Sequence, residues 1–157
     1  MSLRDELKDH EFFKSLPPEY FDFVIDCASA ECHPAGSFLF REGHKADQFF
    51  YIVRGKVALE NHIPGREVIL FETVPKAHVV GWSWLVYPHF WVFDGRAVRE
   101  VEAISFDGEK IRQKAEEDHD FGFYFYRYFA QIMTRRVLSS RMQLMDVYSN
   151  QEGSEYL

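Results

Sequence analysis

The sequence predicts a mainly β domain with helices at both ends, and three observations carry that expectation. Apolar residues at helical spacing run from Glu6 to Ala30. From Pro34, glycines separate short segments rich in Phe, Val, Ile and Tyr. Past Asp107 the glycines nearly stop and a 3.6-residue period returns. At 157 residues the chain is expected to hold one domain over 1–150. Its parts are N-terminal helices over 6–33, a β region over 34–107, C-terminal helices over 108–150 and a polar tail over 151–157.

At the N-terminus, Phe12, Phe13, Leu16, Tyr20, Val24 and Ile25 recur at helical spacing, broken by Pro17-Pro18. Two short helices meeting at that pair follow, because proline removes a helical donor. Gly36, Gly43, Gly55, Gly65, Gly81 and Gly95 then punctuate candidate strands at 37–42, 49–53, 56–62, 66–72, 78–81, 91–98 and 101–106, with His62-Ile63-Pro64-Gly65 as a hairpin turn. The continuous apolar run 49–53 suits a strand buried on both faces. Short strands at this spacing predict an antiparallel barrel or sandwich.

Beyond Asp107 the pattern predicts a short helix over 109–117 and a long one over 120–148. Tyr126, Ala130, Met133, Val137, Leu144 and Val147 share one stripe of the long helix, with Ser140 its only polar member. Phe121, Phe125, Phe129 and Ile132 line a second stripe in the first half alone. The second stripe is expected to pack on the β region. The first, continuing past Val137, is expected to meet another copy of itself, giving a homodimer with Met133, Val137, Leu144 and Val147 in the seam. The alternative is a helix folded wholly on its own domain.

Composition narrows the function. Sixteen Phe, eight Tyr and three Trp supply a large aromatic core, and a formal charge of −7 repels phosphate backbones. The chain is expected not to bind DNA by itself. Arg135, Arg136 and Arg141 read as a solvated face or a dimer ion pair, and only seven residues follow Asn150. No apolar run is long enough to span a membrane, and Met1-Ser2-Leu3-Arg4-Asp5-Glu6 lacks the core of a signal peptide, so the expected location is cytoplasmic. His10, His33, His44, His62, His78, His89 and His119 are scattered without ligand spacing, and of them His78 and His89 are the pair that could meet. Cys27 and Cys32 read as two buried free thiols. No nucleophile elbow or phosphate loop occurs, so no enzyme, metal or cofactor is expected.

Ala35-Gly36-Ser37-Phe38-Leu39-Phe40-Arg41-Glu42-Gly43, followed by Ala46-Asp47-Gln48-Phe49-Phe50-Tyr51-Ile52-Val53-Arg54-Gly55-Lys56-Val57, resembles the first hairpins of the cyclic nucleotide-binding domains of catabolite activators and kinase regulatory subunits. The likeness extends from about Phe12 to Met145. It implies a double-stranded β-helix, or β-roll, with a long C-terminal dimerisation helix, in a regulatory module that senses a ligand.

In that family a Gly-Glu pair opens a short helix, the Glu accepts from the ribose and a later Arg grips the cyclic phosphate. Helix N-termini and guanidinium groups suit that anion. Here Val80-Gly81-Trp82-Ser83-Trp84 keeps the glycine as Gly81 and puts Trp82 at the Glu position. The cassette Arg falls on His89 or Trp91. The segment from Gly81 to Ala97 is crowded with rings and looks like a variant from a bacterial branch of small stand-alone members. The rings either fill the emptied pocket as core or line a pocket for a flatter, more apolar ligand. The pocket candidates are therefore Gly81, Trp82, Ser83, Trp84, His89, Trp91, Asp94 and Arg96.

The resulting expectation is a non-catalytic sensor with weakened or lost cyclic nucleotide binding, an unidentified small-molecule ligand and no membrane or DNA partner. In the alternative, Arg96 takes the phosphate and the chain binds cyclic AMP or cyclic GMP. Otherwise Asp94 and Arg96, two apart on one strand, form an ordinary ion pair. A third reading is a structural, partner-binding subunit with a filled pocket.

Overall fold

The computed structural model describes the backbone of residues 2–155 and the side chains of residues 2–150. Three short helices open the chain: α1 (Leu3–Leu7), α2 (Glu11–Ser15) and α3 (Pro18–Asp26). Ser2 and Asp5 form a capping box on α1, the His10 ring accepts from the Phe12 amide at the start of α2, and Pro18 occupies the first turn of α3. The expected pair of helices is thus three.

Eight strands follow: β1 (Ala28–His33), β2 (Phe38–Phe40), β3 (Gln48–Arg54), β4 (Val57–His62), β5 (Val68–Val74), β6 (Val79–Val80), β7 (Asp94–Ala97) and β8 (Val101–Asp107). They form two four-stranded antiparallel sheets, ordered β1-β8-β3-β6 and β2-β7-β4-β5, the expected β-roll. β1 corrects the sequence reading, which placed 28–33 among the helices. Its alternation of Ala28, Ala30 and Cys32 with polar residues is a weak β signature without a β-branched or large aromatic side chain, and β8 pairs with it from Ala28↔Phe106 to His33↔Val101. Gly55 joins β3 to β4 at φ 96°, where any Cβ would lie 2.5 Å from the Glu100 carbonyl oxygen.

β3 is buried on both faces, as its apolar run requires. Phe49 and Tyr51 join a core shared with the helices, where Phe49 stacks on Phe106 at 4.6 Å, while Phe50 and Ile52 join a second core between the sheets. After β8, α4 (Gly108–Glu117) is capped by Asp107, and Asp118 accepts from the Phe121 amide as α5 (His119–Glu155) begins. Phe121, Phe125 and Phe129 are fully buried, so the short stripe packs on the body as expected. Past Arg136 every side chain through Asn150 is exposed. The helix runs on beyond Asn150 to Glu155, into the span expected to be a tail.

Candidate functional site

Gly81 ends β6 at φ 96°, and an added Cβ there would meet the Trp91 ring at 2.9 Å. From Gly81 to Phe90 the chain follows turns, not the short helix with which the resembled cassette opens. This loop distributes its rings to three places. Trp84 is fully buried in the helix-side core, 4.9 Å from Phe49 and 5.1 Å from Phe129. Trp91 stacks on Phe40 at 4.1 Å inside the roll, beside Phe93. Trp82 alone of the three tryptophans borders open space.

That space is a cavity of about 440 Å³ between the roll and α5. Leu59, Phe71, Trp82 and Phe93 form its floor; Met133, Val137 and Leu144 form its roof. Phe93 meets Phe71 edge-on at 5.2 Å and Trp82 at 6.0 Å, so the floor is a three-ring aromatic corner. Arg136 closes one end. Its guanidinium donates to the Val79 carbonyl at 3.1 Å and its Nε lies 3.7 Å from Glu72 Oε1. Burial pulls the Arg136 pKa down and Glu72 opposes the pull. The expected solvated Arg face is corrected at this residue. Arg136 follows Phe125, Phe129 and Ile132 at helical spacing, and that register was the missed signal.

Asp94 and Arg96 sit elsewhere. Gly95, between them, faces the Phe40 ring inside the roll, so strand alternation points Asp94 and Arg96 to the outer face. They do not pair with each other. Asp94 accepts from the Glu42 amide at 2.7 Å and holds His62 Nδ1 at 2.7 Å. Arg96 Nε donates to Glu60 Oε1 at 2.8 Å, and that hydrogen bond holds the guanidinium pKa above its usual value. The expected same-strand ion pair is replaced by a cross-strand one, Arg96 with Glu60, and by the Asp94–His62 contact, because β4 presents Glu60 opposite Asp94.

Ser83 and His89 also leave the cavity. Ser83 Oγ, Trp84 Nε1 and His89 Nδ1 are buried without a partner in the described residues. His89 adopts φ 63° and its ring lies 6.2 Å from that of Tyr87, while His78 lines a groove with His10 in which His89, the histidine it could have met, takes no part. Cys27 is buried but Cys32 is exposed, which corrects the expectation of two buried thiols. Among the described residues no group of three metal-ligating side chains occurs, and no helix is long and apolar enough to cross a membrane.

The outer half of α5 carries an apolar arc wider than one stripe. Val137 and Leu144 are 59% and 57% exposed, and Leu138, Met142 and Met145 are 52%, 67% and 65% exposed. At about 100° per residue, Leu138, Met142 and Met145 face away from Phe129 and Arg136, with Val137 and Leu144 between that outward face and the cavity. Sequence reading found the inner edge of this arc and missed its outer one.

The family model for the cyclic nucleotide-binding domain matches residues 31–118. Over 84 residues the chain is 29% identical to human cGMP-dependent protein kinase 2, an alignment covering 53% of this chain and 11% of the kinase. The chain thus spans a small part of the curated relatives it matches. A Geobacter metallireducens GS-15 protein described as cyclic nucleotide-binding superposes with TM-score 0.74 at 24% identity, over 83% of this chain and 95% of that one. A cyclic nucleotide-binding domain from Methylobacillus flagellatus superposes with TM-score 0.75 at 15% identity, over 87% and 80%. These structural likenesses show the fold.

Proposed function

The chain belongs to the cyclic nucleotide-binding domain family, and we propose that it is a non-catalytic regulatory module whose altered site no longer binds cyclic nucleotides tightly. The observation that carries this reading is Trp82, which follows Gly81 where the resembled cassette has its ribose-binding Glu and turns an indole into the cavity. The loop behind it supplies rings to both cores. A ribose placed there would meet the Trp82 indole in place of the cassette's carboxylate, and its hydroxyls would give up water against the apolar floor of Leu59, Phe71 and Phe93, which is unfavourable without replacement hydrogen bonds.

The alternative, cyclic nucleotide binding through Arg96, is opposed by that residue's position on the outer face and its bond to Glu60. Freeing it would leave Glu60, itself 4% exposed, as an unpaired buried carboxylate. The readout in this proposal is α5, since a ligand in the cavity touches both the roll and the helix and shifts the helix toward the state it binds better. A homodimer fits the same helix: Val137 and Leu144 flank the seam where they leave the cavity, with Met133 beneath them, Leu138, Met142 and Met145 extend it outward, and Val147 is exposed farther along the helix. The acidic charge of the chain disfavours a DNA partner, and a cytoplasmic location fits a small regulatory module of this kind.

Titration calorimetry with cyclic AMP and cyclic GMP tests the reading. We expect no saturable heat from either nucleotide, and tight binding of either overturns the proposal.

A further inference from the structure

We propose that the cavity beneath α5 is a binding site for a planar aromatic molecule carrying a single negative charge; this rests on the reading above that the module senses a ligand other than a cyclic nucleotide. Four features of the cavity argue for that class. Its volume of about 440 Å³ lies in the range of small-molecule sites. Its floor is the corner made by Phe93 with Phe71 and Trp82 each set edge-on to it, against which a flat ring system gains both area and favourable quadrupole contacts.

The roof sets the polarity. Met133, Val137 and Leu144 keep the roof mainly apolar, with Ser139, Ser140 and Gln143 as its neutral polar members, and the unbranched Met133 adapts to a ring edge. The charges at the mouth then set the sign. Arg136 is engaged by Glu72 and the Val79 carbonyl. Arg141 also lines the cavity and, among the described residues, has no carboxylate partner. Two guanidinium groups against one carboxylate leave one positive charge, which matches a monoanion, repels a cation and undercompensates a dianion. The Trp82 indole N–H adds a donor to which the described residues offer no recorded acceptor. The ligand thus lies with its rings on Phe71, Trp82 and Phe93 and its anionic end at Arg141.

The experiment uses two probes with the same fused and phenyl rings: 1-anilinonaphthalene-8-sulfonate, a monoanion, and N-phenyl-1-naphthylamine, which is neutral. Each is titrated into the full chain by fluorescence, with circular dichroism confirming that each variant is folded. We expect one sulfonate probe per chain, bound about tenfold or more tightly than the neutral probe, as a charge-assisted contact allows. Arg141→Gln, on the exposed half of α5, should erase that preference while leaving the neutral probe's affinity unchanged, and Trp82→Ala should weaken both probes. Equal affinity for the two probes, or indifference to Arg141→Gln, overturns the monoanion site and leaves the regulatory reading standing. Probe binding that appears only in Met142→Asp, a change on the outward face of α5 away from the cavity, overturns it too, because a second copy's helix then fills the cavity. Displacement of the sulfonate probe by cyclic AMP or cyclic GMP overturns the regulatory reading on which the proposal rests.

Discussion

Arg136 and Glu72 join α5 to the roll at the last point where the helix is supported. The Arg136 Nε lies 3.7 Å from Glu72 Oε1 on β5, and the same guanidinium donates to the Val79 carbonyl on β6. Before this residue the helix buries Phe121, Phe125 and Phe129; after it every described side chain is exposed. The cavity opens beside the junction, so any occupant that moves α5 does so against this contact.

Arg136→Met keeps much of the aliphatic stem and removes both polar contacts. We expect a loss of about 2 kcal/mol in urea unfolding, the scale of hydrogen bonds to a charged group, since Glu72 and the Val79 carbonyl lose their partner. Hydrogen exchange should also quicken from residue 137 onward. An unchanged midpoint together with unchanged exchange would show that α5 is held elsewhere.

The fold was legible where chemistry repeats along the chain. Glycine spacing located the strands, the apolar run at 49–53 announced a doubly buried strand, and the short Phe stripe found the face of α5 that packs inward. β1 was hard to read because 28–33 alternates only small apolar residues (Ala28, Ala30, Cys32) with polar ones and has no β-branched or large aromatic residue, and its strand conformation comes from pairing with β8. At the site, Trp82 was legible by its place after Gly81. The contribution of Phe71, Met133 and Arg141 was not, because they come from distant segments that only tertiary packing brings beside Trp82. Arg96 misled for a related reason: strand alternation put it on one face with Asp94 but could not say whether that face looks in or out.

His10 predicts an acid-side loss of stability. Its ring caps α2 and lies 5.3 Å from Tyr51 and 5.4 Å from Phe13, and burial lowers its pKa below 6.5. Glu11 opposes that shift and His78 adds to it. As pH falls through 6.5 the unfolded chain takes up the proton before the folded one does, so stability drops with acidification. His10→Asn retains a capping acceptor and removes the titration. Between roughly pH 7.5 and 5.5, the wild type should lose more unfolding free energy than the variant, and equal slopes would refute the assignment.

The two cysteines should differ in reactivity. Burial pushes the Cys27 thiol up to about 11, whereas Cys32 is exposed on the edge strand β1. Thiolate is the reactive form, so native protein should consume one equivalent of iodoacetamide at Cys32 and a second only on unfolding. The Cys32→Ser variant should be inert while folded. Between pH 9 and about 11 the folded thiol keeps a proton that the unfolded one releases, so this group makes stability fall as pH rises. Rapid native labelling of Cys27 would contradict its burial.

The outer half of α5 should be the seam of a homodimer. From Val137 to Asn150 the helix extends about 20 Å with every side chain exposed, and isolated helices of that length are marginal in water. Leu138, Met142 and Met145 face outward, flanked by Val137 and Leu144, an apolar arc that a second α5 would cover by side-chain interdigitation. An aspartate inside such a seam is desolvated without a partner, which is costly, whereas one on the polar side remains hydrated. Sedimentation at micromolar concentration should therefore give dimers for the wild type and for Asn150→Asp, one turn past Asp146. Met142→Asp and Val137→Asp should both shift to monomers. A monomeric wild type refutes the dimer, and a Val137→Asp protein that stays dimeric while Met142→Asp dissociates would confine the seam to the outward edge of the arc.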